Sequence, residues 1–452
     1  IMRNFKIKIR QMDFIYLYIL FLFFMPNDVF KSTSLYIFDN PSNINQYEIT
    51  MAYLSLLYMP LIIIGLLIYI KNNKILGYNI LLFLFIIFLK DVLIATVLGN
   101  RYMISYNTYE MYWVYAVSIS IMTIVFYRNN NLDLKFKFFE LFGLITCLTT
   151  IFSAVTGIGV GNWETYTSRY HASSMSSGET AYALAMFTIY LIACKNDGEI
   201  DNLGLKFTKK YRLILIITSI LLIFATGCRK DLIYVIGIAF IYKLTKCSHN
   251  RKKGISKKIT KYQLTSVFFI ILAIMVLAFN YDSIGARLNL NRMTEPIEAI
   301  MSGNANEFLS EDDSSEGRIE SIVAGLELAK NNVLTGLNFS FYDMQYNLQQ
   351  YNYPTFPHST ILYYYCICGV LIIIPVYLYI KTFYNLIKLK STFLYVFLHF
   401  FVHNTISGGA YLDIKSIIQN LLILSLGIFI IKNKGWVKNE NRDSGNKFQQ
   451  RK

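Results

Sequence analysis

The side chains best suited to chemistry in this sequence are basic and few. Arg229 and Lys230 sit in Thr226-Gly227-Cys228-Arg229-Lys230-Asp231-Leu232, between two apolar runs. Arg318 stands in a segment where Ile319, Ile322, Val323 and Leu326 recur at helical spacing on one face. His358 follows Pro357 and opens another apolar run. Arginine offers a planar fork of donors that matches phosphate oxygens, and imidazole exchanges protons near neutral pH. Together they fit a site for an anionic, polar substrate in which His358 takes a proton from a hydroxyl. Arg169 and His171, in the segment before another apolar run, could add to it.

Each has a plainer reading. Arg229 and Lys230 could snorkel at a helix end or pair with Asp231. Arg318 lies between Glu316 and Glu320 and could form surface salt bridges. His358 could cap a helix or sit at an interface. His399 and His403 fall inside an apolar run, where core packing or a hydrogen bond to a neighbouring helix accounts for them. Glu311, Asp312 and Asp313 could attract a hard divalent ion, but a solvated loop explains them as well.

The elements that must position these residues are membrane helices. Of 452 residues 54% are hydrophobic and 16% charged, a balance that excludes an ordinary soluble enzyme. About twelve runs are long enough, or nearly so, to cross a hydrocarbon layer of about 30 Å. The fold class expected is therefore all-α: a polytopic membrane protein with one large outer loop containing a short amphipathic helix. Helices 1–9 occupy 1–280, with spans near 12–30, 51–70, 75–98, 109–127, 138–158, 179–194, 213–227, 232–245 and 263–280. The outer loop is 281–357. Helices 10–12 occupy 358–431, near 358–380, 391–407 and 416–431, and 432–452 is a basic cytoplasmic tail. The first run reads as a retained span.

The net charge of +15 could suggest nucleic acid. Its distribution excludes that partner, because Lys and Arg gather between alternate apolar runs, roughly threefold more on one side than the other, the positive-inside pattern. That pattern puts both termini in the cytoplasm. It puts Arg169, His171, Arg229, Lys230, Arg318 and His358 on the outer face. The six cysteines show no metal-binding spacing and read as free thiols.

Four segments resemble the O-antigen polymerase and ligase superfamily. They are Thr226-Gly227-Cys228-Arg229-Lys230, Gly317-Arg318-Ile319, Leu334-Thr335-Gly336-Leu337, and Pro357-His358-Ser359-Thr360-Ile361-Leu362 with Gly369-Val370. Members of that family carry a Thr-Gly-Ser-Arg element, an Arg at the start of a loop helix, a Gly-bearing turn after it, and a His-Asn at the exit from the loop. Here Cys228 stands where Ser is usual and Ser359 where Asn is usual. The resemblance implies a membrane glycosyltransferase of the bacterial cytoplasmic membrane, independent of metal and of any cofactor. Its donor is a polyprenyl-pyrophosphate-linked oligosaccharide. Arg229, Arg318 and Lys230 would bind the pyrophosphate, His358 would be the catalytic base, and Arg169 and His171 would be further substrate contacts. With a second lipid-linked repeat as acceptor the enzyme is a polymerase, to which a chain-length regulator could be a further partner. With another acceptor it is a ligase. A flippase for lipid-linked oligosaccharide is the alternative from a different class.

Overall fold

The computed structural model describes residues 11–24, 59–65, 67–68, 86–93, 116–125, 132–156, 172, 177–195, 203–252, 313–337, 359–406 and 418–432. Among these residues the secondary structure is helical and contains no strand. The helices that matter here are α1 (Gln11–Phe24), α2 (Leu132–Thr156), α3 (Ser177–Ala193), α4 (Lys209–Ala225) and α5 (Arg229–Lys252). They continue as α6 (Asp313–Asn331), α7 (Thr360–Cys368), α8 (Ile373–Lys388), α9 (Leu394–Ile406) and α10 (Ile418–Lys432). A 3₁₀ turn, Gly369–Ile372, joins α7 to α8.

Among the described residues two helical stretches are long and apolar enough to cross a membrane, Leu132–Val155 and Thr360–Lys388. Their outward faces are apolar too. Leu148, Phe152 and Val155 are exposed on α2, and Ile373, Tyr377, Ile380 and Tyr384 on α8. Inside, the bundle buries Glu140, Lys195, Asp231 and His399. Polar groups inward and apolar groups outward is the arrangement a lipid solvent favours.

The central helix is α3, whose residues from Thr180 to Leu191 are all buried. It packs against α2, α4, α5 and α9. At its C-terminal end Lys195 forms a buried pair with Glu140 at 2.9 Å. The same carboxylate accepts from the Tyr190 hydroxyl at 2.6 Å and from the Leu205 amide, while Lys195 also donates to Leu205 O at 3.1 Å. Every partner of these charges is thus a group of the chain, as burial requires.

The helix expected around Arg318 is present as α6, and it lies along α7. The packed face is rotated from the expected one: Ile322 lies against the core, but Val323 and Leu326 are 50% and 55% exposed. Ser321, Ala324, Leu328 and Ala329 are buried instead. Small side chains let the backbones approach closely, and the Cys366 thiol reaches Gly325 O at 3.2 Å. After α6 the chain turns at Gly336 and meets Gly369. Both have positive φ, 65° and 54°, and a Cβ on either would fall on the other's backbone segment. Lys90 secures the junction from a third segment, donating to Leu337 O at 2.6 Å and Ile367 O at 2.9 Å while pairing with Asp91 at 2.9 Å.

Several boundaries differ from expectation, and the span expected to start near 138 already starts at Leu132. The helix expected at 232–245 runs on to Lys252, because Lys246, Arg251 and Lys252 are good helix formers and no Gly or Pro follows 245 before Gly254. The span expected to close near 380 continues to Lys388, interrupted by the 3₁₀ turn where Gly369 meets Gly336. Cys147, Cys194, Cys228, Cys366 and Cys368 are free thiols.

Candidate functional site

The Thr-Gly-Cys-Arg-Lys segment is a tight turn between two helices. Thr226 ends α4, its hydroxyl donating to Ile223 O at 2.7 Å and receiving the Cys228 amide at 3.3 Å. Gly227 turns the chain at φ 70°, and α5 begins at Arg229. Arg229, Lys230 and Asp231 therefore occupy the first turn of α5, where Asp231 also suits the positive end of the helix dipole. Lys230 is half-buried and Asp231 fully buried.

Ser359 and Thr360 deliver a second helix start to the same end of the bundle. Ser359 is the N-cap of α7, its Oγ accepting the Leu362 amide at 3.3 Å and donating to Thr405 O of α9 at 2.8 Å. Serine is a strong N-cap, so its place in the motif has a structural use. Thr360 donates to Asn404 Oδ1 at 3.0 Å. An amide thus stands beside the motif, supplied by α9 rather than by position 359.

From Asn404 the polar contacts continue inward. Its Nδ2 lies 3.3 Å from Asn420 Oδ1 on α10, which also accepts the Tyr182 hydroxyl at 3.1 Å. The Tyr182 ring stacks on His403 at 4.0 Å and on His399 at 5.4 Å. His403 Nδ1 lies 3.2 Å from Asp231 Oδ1, and His399 Nε2 lies 3.3 Å from the same oxygen. The N-terminal ends of α3, α5, α7 and α10 and the C-terminal end of α9 meet here. The Glu140–Lys195 pair marks the opposite end, about 20 Å away along α3 at 1.5 Å per residue.

The residues predicted from sequence stand in this frame as follows. Lys230 is at the cluster's edge, next to Asp231. Arg229 starts α5 and Arg318 lies in the first turns of α6, both placed by backbone. His358, Arg169 and His171 lie outside the described residues; the first immediately precedes Ser359, and Ala172, next to His171, donates its amide to Thr180 Oγ1 at 2.9 Å. Sequence reading missed the convergence of Asp231, His399 and His403. The available signal was the four-residue spacing of the two histidines on one helix. The third member lies 172 residues from His403 and nothing local announces it. Comparison with protein-family models gives no match, and comparison with curated proteins gives none.

Proposed function

We propose that this chain polymerises polyprenyl-pyrophosphate-linked oligosaccharide repeat units into a surface polysaccharide, at the outer face of a bacterial cytoplasmic membrane that it crosses about twelve times. The observation that carries the reading is the polar connection through α9. It joins the helix that starts at Arg229 to the helix start that follows His358, two of the four segments that resemble the O-antigen polymerase and ligase superfamily. The packing of α6 on α7 adds a third, because α6 carries Arg318. The Gly336–Gly369 junction joins the fourth to them.

In this reaction Arg229, Lys230 and Arg318 bind the donor pyrophosphate and offset the negative charge that grows on it as it leaves. His358 accepts the proton of the acceptor hydroxyl as its oxygen attacks the anomeric carbon. The bond from that carbon to the pyrophosphate oxygen breaks with its electron pair, and the configuration inverts. Arg169 and His171 add further contacts to the substrate, and no metal or cofactor takes part in the transfer.

The test is a strain lacking the gene, with lipid-linked glycans and surface polysaccharide extracted and sized together. Single repeats on the carrier, with at most one repeat at the surface, support polymerisation. Full-length polymer stranded on the carrier replaces it with a ligase. Single repeats confined to the inner leaflet replace it with a flippase.

A further inference from the structure

We propose that Asp231, His399 and His403 form a binding site for a transition-metal dication of the Zn²⁺ type, which clasps α5 to α9. One carboxylate oxygen and one nitrogen from each imidazole lie within 4.8 Å of one another, and all three residues are buried. Asp231 Oδ1 lies 3.2 Å from His403 Nδ1 and 3.3 Å from His399 Nε2. Ligand atoms held about 2.0–2.1 Å from a tetrahedral zinc are themselves about 3.3 Å apart.

Hydrogen bonding alone leaves this cluster incomplete. His399 Nε2 is within reach of the carboxylate yet makes no hydrogen bond to it, and neither His399 Nδ1 nor Asp231 Oδ2 has a partner among the described residues. Each unsatisfied polar group inside a protein costs about 1–3 kcal/mol. A cation shared by Oδ1, Nε2 and Nδ1 would satisfy the first of these and bring positive charge to Asp231 at closer range than the neighbouring Lys230 does. Two imidazoles favour Zn²⁺ and its neighbours over Mg²⁺ or Ca²⁺, which take oxygen ligands.

The surroundings suit fixed ligands. His399 and His403 are four apart on α9 and so share a face, as paired helical metal ligands do. Stacking of Tyr182 on His403 and the edge contact of Tyr234 with His399 at 5.9 Å hold the rings in place. The site needs no assumption about the reaction, and of the groups assigned to it only Lys230 stands beside the cluster.

The test uses full-length, tag-free protein in detergent, stripped with chelator, equilibrated with Zn²⁺ and desalted. Mass spectrometry should find about one zinc per chain, falling at least about tenfold in Asp231→Asn and His403→Gln and unchanged in His249→Gln. Metal absent from the wild type, or kept by both cluster variants, overturns the site. Should the variants fail to fold, Co²⁺ on the wild type decides. Intense visible bands of four- or five-coordinate cobalt support the site, and a weak octahedral spectrum overturns it.

Discussion

Asp231 Oδ1 and His403 Nδ1 lie 3.2 Å apart across 172 residues of chain, inside the bundle. The contact joins the first turn of α5 to the last turns of α9. It turns the plainer reading of His403, a hydrogen bond to a neighbouring helix, into a specific one. Asp231→Ala should therefore destabilise the protein by about 1–3 kcal/mol, the usual cost of leaving a buried hydrogen-bonding group, here His403 Nδ1, without its partner. Thermal unfolding of purified protein measures this, and a change within about 0.5 kcal/mol, typical of a surface substitution, would contradict it.

At the other end of α3, Lys195→Met should cost about 3–5 kcal/mol by stranding Glu140 in a buried place. Lys195→Met combined with Glu140→Gln should recover most of that loss, because a neutral amide can still accept from Tyr190. A double-mutant cycle on unfolding free energy checks the coupling.

Gly369→Ala should unseat the loop helix. The position has φ 54°, and the added methyl would fall on the Leu334 carbonyl and the Gly336 amide. A destabilisation of about 2 kcal/mol or more follows from the strain and displaced contacts. Gly237 is the control: apart from α5's own neighbouring backbone nothing lies within 4 Å of a Cβ there, so Gly237→Ala should stabilise α5 by about 0.5–1 kcal/mol. Limited proteolysis between α6 and α7 distinguishes the two.

Ser359 departs from the asparagine usual in the family the sequence resembles. Ser359→Asn should keep polymer synthesis, because asparagine caps a helix as well as serine does. Ser359→Ala should lose about 1 kcal/mol of stability through the missing cap. Polymer ladders on gels and unfolding midpoints report the two outcomes separately.

His358→Ala and Arg229→Ala should each abolish polymer while the protein remains in the membrane. Arg318→Lys should also impair synthesis, since lysine keeps the charge but loses the two-pronged contact with phosphate. Normal polymer length with membrane levels unchanged, in either of the first two variants, would remove the residue from the site.

Local pattern determined which stretches are helices. Runs expected near 179–194, 213–227 and 391–407 occur as Ser177–Ala193, Lys209–Ala225 and Leu394–Ile406. Apolar length and flanking charge act over neighbouring residues, so they are written in the sequence directly. The Arg229 and Ser359–Thr360 segments could also be read as helix starts, from glycine, serine and threonine alone. Which face of each helix packs was decided only in three dimensions. A helix apolar all round carries no marker of its inward side, and even the amphipathic α6 buries Ala324 and Leu328 while exposing Val323 and Leu326. The same holds for Lys90 at the Gly336–Gly369 junction, and for Asp231 beneath His399 and His403. Those groups are distant in sequence, and each becomes legible only when burial forces its polar atoms to find partners across the bundle.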